Sequence, residues 1–239
     1  PLAFLNQLVN GAVPRPMALP RMPLNEAMAM KRLFFGKNSI EIRGASEAET
    51  RYGAMISIRE YPALTGPGSL DLLLKVPHEF ILTQSFAIID RPEAASRIDR
   101  VARQVDMSDE ADSIVAEHLN VARDELLASE AIYGEHHFTL MCLGKTLPEV
   151  NAAVTATGSA LTDRSVIWVR EDLNAEPAFW AQLPGNFPYI ARKSTISSKN
   201  FAGFASLHNY PSGSAAGNHW GPAISIVETT SQTAYYFNT

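Results

Sequence analysis

"GEHHFTLMCLGKTLPEV", residues 134–150, is the stretch whose reading decides the fold. From His136 to Leu143 it reads as a strand. From Pro148 to Leu161 it turns helical, with Val150, Val154 and Leu161 spaced for an inward face. The joint between them, Gly144-Lys145-Thr146, has the last three letters of a phosphate loop. Such a loop needs G-x-x-x-x-G-K-[ST], because its first glycine lets successive backbone N–H groups curl around the phosphates. Thr139 holds that glycine's place, inside the strand, and no other G-K-[ST] occurs in the chain. The triplet therefore reads as a strand-to-helix turn with Thr146 as helix cap.

The other chemical hints of the stretch weaken in the same way. His136 and His137 are adjacent in a strand, so their side chains point to opposite faces. The expectation is that one meets solvent or a partner while the other packs against helices. They cannot readily share a metal, and no H-E-x-x-H or C-x-x-C pattern lies nearby. Cys142, the only cysteine, reads as a buried structural thiol, and no G-x-S-x-G elbow offers a serine nucleophile. Acid pairs such as Asp109/Glu110 and Glu171/Asp172 fall at caps and turns, where they serve helix starts and solvation.

Working outward, residues 52–60 alternate as a strand, 66–77 hold a Gly/Pro turn with a brief helix, and 79–90 read as a buried strand. Residues 92–131 follow a helical period twice, through Ile98, Val101 and Val105 and then through Val115, Leu119, Ala122 and Leu126. Ser108, with Asp109 and Glu110 behind it, reads as the cap of the second helix. A strand at 166–170 closes the series. The order β-α-β, helical hairpin, β-α-β predicts an α+β, ferredoxin-like split β-α-β sandwich. In it one helical layer covers a mostly antiparallel sheet, and the helical hairpin replaces a tight turn.

On the N-terminal side, residues 2–10 read as a helix stopped by Asn10-Gly11. A Pro-rich connector and a strand at 39–43 follow. On the C-terminal side, Asn174 caps a short helix over 175–183, residues 186–220 are turn-rich, and 223–239 alternate around "TTSQ" as a β-hairpin. The chain thus divides into an N-terminal helix and connector (1–45), an α+β core (46–172), and a linker with the hairpin (173–239).

With 239 residues, 46% apolar and 19% charged, the composition is that of an ordinary globular chain. Its longest apolar stretch, at 80–89, is far short of the roughly 20 residues a spanning helix takes. The net charge of −5 is uneven. Six bases against two acids put +4 on residues 1–43, and eleven against twenty-two put −11 on residues 44–184. The acidic centre argues against nucleic acid as a direct partner, while the basic start suits an anionic surface. Residues 201–222 gather aromatics, His208, Asn209, Asn218, His219 and Trp220 among glycines. That composition suits a contact loop. The alternative is a small stand-alone hydrolase that builds a site from this loop with His136 or His137.

The blocks "AFLNQLVNG", "YGAMISIREYP", "HEFILTQSFAIIDRP", "YGEHHFTLMCLGKT", "EPAFWAQLPGNF", "SKNFAGFASLHNYPSG", "GNHWGPA" and "TAYYFN" occur in that order. Together they resemble the N-terminal region of the VirB/TrbE/CagE ATPases of type IV secretion and conjugation systems, over essentially the whole chain. The resemblance implies a parent ATPase, peripheral at the cytoplasmic face of the bacterial inner membrane, that energises pilus assembly and transfer of DNA or protein. It implies that this region has no catalytic, nucleotide or metal residues and no cofactor of its own. ATP and magnesium belong to a domain beyond the "YYFN" strand. The expected partners are inner-membrane secretion components, the parent's own ATPase domain and other copies of the full-length protein. Trp180, His208, Asn209, Asn218, His219 and Trp220 are the candidate contact residues.

Overall fold

In a computed structural model, the structure describes residues 2–11, 18–28, 30–106, 113–205, 212–229 and 234–238. Two compact units emerge, residues 1–205 and residues 206–239.

The first unit opens with α1 (Leu2–Asn10), α2 (Leu24–Met28) and the paired strands β1 (Arg32–Phe35) and β2 (Ile40–Arg43). The core series follows as β3 (Arg51–Glu60), a 3-10 turn at Asp71–Lys75, and β4 (Phe80–Ile88). Next come the hairpin helices α3 (Arg91–Asp106) and α4 (Ser113–Ala128), then β5 (Tyr133–Gly144), α5 (Leu147–Thr162) and β6 (Ile167–Arg170). The unit closes with α6 (Ala175–Trp180), β7 (Ser194–Ser197) and α7 (Ser198–Phe204).

Every pairing in the sheet is antiparallel, and the four core strands lie in the order β6-β3-β5-β4. That is the split β-α-β arrangement, with the α3–α4 hairpin between β4 and β5 where a tight turn would suffice. The two central strands are long enough to serve two neighbours on one edge. β3 pairs β2 through residues 51–53 and β6 through residues 56–60, while β5 takes residues 52–57 of its opposite edge. β5 likewise pairs β3 near its C-terminal end and β7 near its N-terminal end, with β4 along the other edge.

Alternation along β5 divides the core. Phe138, Leu140 and Cys142 face α5, which delivers Val150, Val154 and Leu161, and α7, which delivers Phe204. Met141 and Leu143 face the other way, onto Leu8 of α1 and Phe179 of α6. Each such side chain contributes about 1.5–3 kcal/mol by leaving water. Helices thus cover both sheet faces, not the single face expected, because α1 and α6 supply a second layer. β4 differs too: it is an edge strand, half-buried, with Ile88 exposed.

The helical hairpin is held at its base by a separate cluster of Ala94, Ile98, Leu126, Ala131 and Tyr133. Val101, expected inside, is exposed. The Ser108–Glu110 cap and the side chain of Val115 lie outside the described residues. Arg91 closes the hairpin by donating from Nε and Nη2 to the Leu126 carbonyl, at 2.9 and 2.6 Å, at the C-terminal end of α4. Asn174 holds the N-cap position of α6 but makes no side-chain cap bond.

The second unit contains β8 (Ser225–Glu228) and β9 (Ala234–Phe237), paired antiparallel as the alternation around "TTSQ" predicts. Gly213 runs beside β9 with φ +64°, and a Cβ there would sit 2.2 Å from the Tyr236 carbonyl oxygen. Only glycine permits that approach.

One glycine offers a direct test of the α5–sheet contact. At Gly158 a Cβ would meet the Trp168 ring at 2.1 Å. Gly158→Ala gains up to ~1 kcal/mol of helix propensity but must displace the indole, so a net loss of ~1–3 kcal/mol is expected. Urea unfolding measures it. Truncation of Trp168 in the same chain should turn the Gly158→Ala change neutral or stabilising.

Candidate functional site

The Gly-Lys-Thr turn is capped by its own chain. Thr146 Oγ1 accepts from the Glu149 N–H at 3.3 Å, and Glu149 Oε2 accepts from the Lys145 N–H at 2.7 Å. This reciprocal pairing is a near relative of the capping box. Thr139 is mid-strand, opposite Ser57 on one side and Thr83 on the other. The turn therefore starts a helix, with the Lys145 and Glu149 amides occupied by its own side chains.

Both histidines are buried, which corrects the expectation that one of them meets solvent or a partner. β5 is central and covered on both faces, so neither side of it reaches water. His136 sits among Tyr61, Phe201 and Phe204, with ring centroids 5.4–5.6 Å away. Its Nε2 lies 3.0 Å from Gln84 Oε1, and its Nδ1 lies 2.8 Å from the Tyr61 hydroxyl. Gln84 Nε2 in turn donates to the Phe204 carbonyl. Since Gln84 Oε1 only accepts, Nε2 carries the proton and Nδ1 accepts from Tyr61. His137 faces the other layer, with Nδ1 3.4 Å from Ser85 Oγ and Nε2 buried without a partner among the described residues. No acid among the described residues orients that ring, so the serine–histidine contact lacks there the third group of a hydrolytic triad.

Cys142 is fully buried beside Thr157, and burial pushes its thiol up to about 11. Among the described residues no group of three or more His, Cys, Asp or Glu is arranged to hold a metal. Glu171, expected at a solvated turn, is buried instead. Arg192 Nε donates to it at 2.6 Å.

The contact residues fall into two places. Trp180 packs on Phe35 and Phe179, and it lines an apolar groove of about 450 Å³ with Leu5, Val9, Leu24, Met28 and Leu183. This groove was missed in sequence because α2 has only five residues. Its signal was the spacing of Leu24 and Met28, four apart, just after the prolines. In the second unit, Trp220 is 76% exposed and meets His219 edge-on at 4.7 Å. Asn218 donates to the Ser214 carbonyl at 2.7 Å. His208 and Asn209 lie outside the described residues.

Burial lowers both His136 and His137 to about 4, from 6.5. The folded state therefore binds fewer protons than the unfolded chain between those values. The stabilising contribution is complete above pH 6.5 and is lost as pH falls toward 4. By pH 5 the loss should be about 1–2 kcal/mol per histidine. Urea unfolding at pH 8, 6.5 and 5 should show a plateau and then a decline, and His137→Gln should make the decline shallower.

Comparison with known proteins places these features in a family. The model of the CagE, TrbE, VirB family, component of type IV transporter system, matches residues 1–192. The type IV secretion system protein virB4 of Bartonella henselae is 38% identical across 98% of this chain and 30% of its own length. A PtlC homologue from Bordetella bronchiseptica is 33% identical across 94% of the chain and 27% of its own length. A virB4 protein of Agrobacterium fabrum is 34% identical across 89% and 26%. The chain spans less than a third of the length of these relatives. On the match over most of its residues, the chain belongs to the CagE, TrbE, VirB family of type IV transporter components.

Proposed function

We propose that this chain is the non-catalytic N-terminal region of a type IV secretion ATPase that energises pilus assembly and the transfer of DNA or protein. The observation that carries the reading is the family match over residues 1–192. Internal geometry supports the non-catalytic part. The histidine pair, the cysteine and the Gly-Lys-Thr turn each serve the core or a helix start. ATP and magnesium belong, on this reading, to polypeptide beyond the present chain.

The region's work is docking and assembly, at the cytoplasmic face of the inner membrane, with membrane components of the secretion system and with other copies of the full-length protein. The groove lined by Leu5, Val9, Leu24, Met28 and Trp180 is the surface suited to such contact, being apolar and open beside the basic N-terminal segment. Among the described residues no helix is long and apolar enough to cross a membrane.

Purified chain should hydrolyse ATP no faster than buffer. Turnover that a substitution inside the chain abolishes overturns the reading. Leu24→Glu, at a residue 40% exposed, should lower co-purification with the inner-membrane components at least tenfold, with an unchanged thermal melt.

A further inference from the structure

The β8–β9 hairpin carries large apolar side chains on both faces. Register pairs Val227 with Tyr235 and Ser225 with Phe237 on one side, and Ile226 with Tyr236 on the other, where Glu228 opposite Ala234 is the one charged residue. Yet Ile226 is 63% exposed, Val227 and Phe237 are each 43% exposed, and every residue of β8 is open. An isolated two-stranded hairpin is marginal in water, and one meant for solvent shows apolar residues on one side only. Apolar residues on both sides are the mark of strands covered above and below. The outer edge of β9 takes a bridge from Gly213, while β8 has no second strand partner among the described residues.

We propose that β8 and β9 are two strands of a larger sheet whose other strands and both covering layers come from polypeptide C-terminal to residue 239. The inference rests on the family reading above, since the relatives are more than three times as long as the part matched. Their additional length is ample for a layered domain. Two-sided cover requires the hairpin to lie inside a domain. Docking on residues 1–205, or on a second copy, would bury one side and leave the other wet.

Hydrogen exchange of β8 and β9 amides tests this, comparing the 239-residue chain with the full-length polypeptide. Exchange should be at least 100-fold slower in the full-length protein. Ile226→Asp and Val227→Asp, on opposite faces, should each abolish that protection. In the 239-residue chain the same substitutions should leave the melt of residues 1–205 unchanged.

Equal exchange in the two polypeptides overturns the proposal. So does protection of the 239-residue chain that grows with its concentration, or sensitivity to only one of the two substitutions. The readout needs neither ATP nor a secretion partner. Failure of the docking reading and failure of this one are therefore seen separately.

Discussion

Burial of β5 on both faces, with both edges paired, is the constraint on which the rest of the first unit depends. Twelve residues long, it takes β4 along one edge and β3 and β7 end to end along the other. A central strand so enclosed leaves no side chain a route to bulk water except at its ends. A slip of one residue would exchange the Phe138–Leu140–Cys142 face for the His137–Thr139–Met141 face and mismatch both layers. Register is thereby strongly specified, and residues that suggest chemistry in isolation become core. The histidines remain neutral because a charged imidazole there would lose its hydration.

The helical hairpin adds a second level of organisation. It buries little apolar surface against the sheet, through the small cluster around Ile98, Leu126 and Tyr133. Polar contacts orient it. Arg97 donates to Thr195 Oγ1 at 2.8 Å and pairs with Glu135 at 3.0 Å, and Lys193 meets the same carboxylate at 2.6 Å. These bonds hold Glu135 below the usual carboxylate range, with the hydrogen bond from Lys193 the largest cause. α3 is thus tied to β5 and β7 at a site that is partly solvated, where each pair contributes modestly. The hairpin is thus anchored by its small buried cluster and oriented by these polar contacts.

On the function proposed above, this region organises contacts and leaves chemistry to other parts of the polypeptide. Its conspicuous residues divide accordingly. His136, His137, Cys142 and Glu171 are enclosed and serve packing or pairing, while Trp220 and the rim of the Trp180 groove remain open. Openness and apolar character together mark surfaces that gain from being covered.

Much of this was legible in the residues themselves. The order of strands and helices from 52 to 170 follows from local periodicity, and the α5 start follows from Thr146 and Glu149, three apart. These signals act between near neighbours, so the chain carries them without its fold. β1, β7 and α7 were not legible, because strands of four residues and a helix of seven acquire definition only from what they pair with or pack on. The same holds for His136, whose Tyr61 partner is 75 residues away in sequence. The second helical layer depends likewise on α1 and α6 meeting across a sheet. The sequence by itself determined the element order from 52 to 170, the Thr146 cap of α5 and the family. Tertiary structure decided which faces are wet, because burial is a property of the neighbours that distant segments bring.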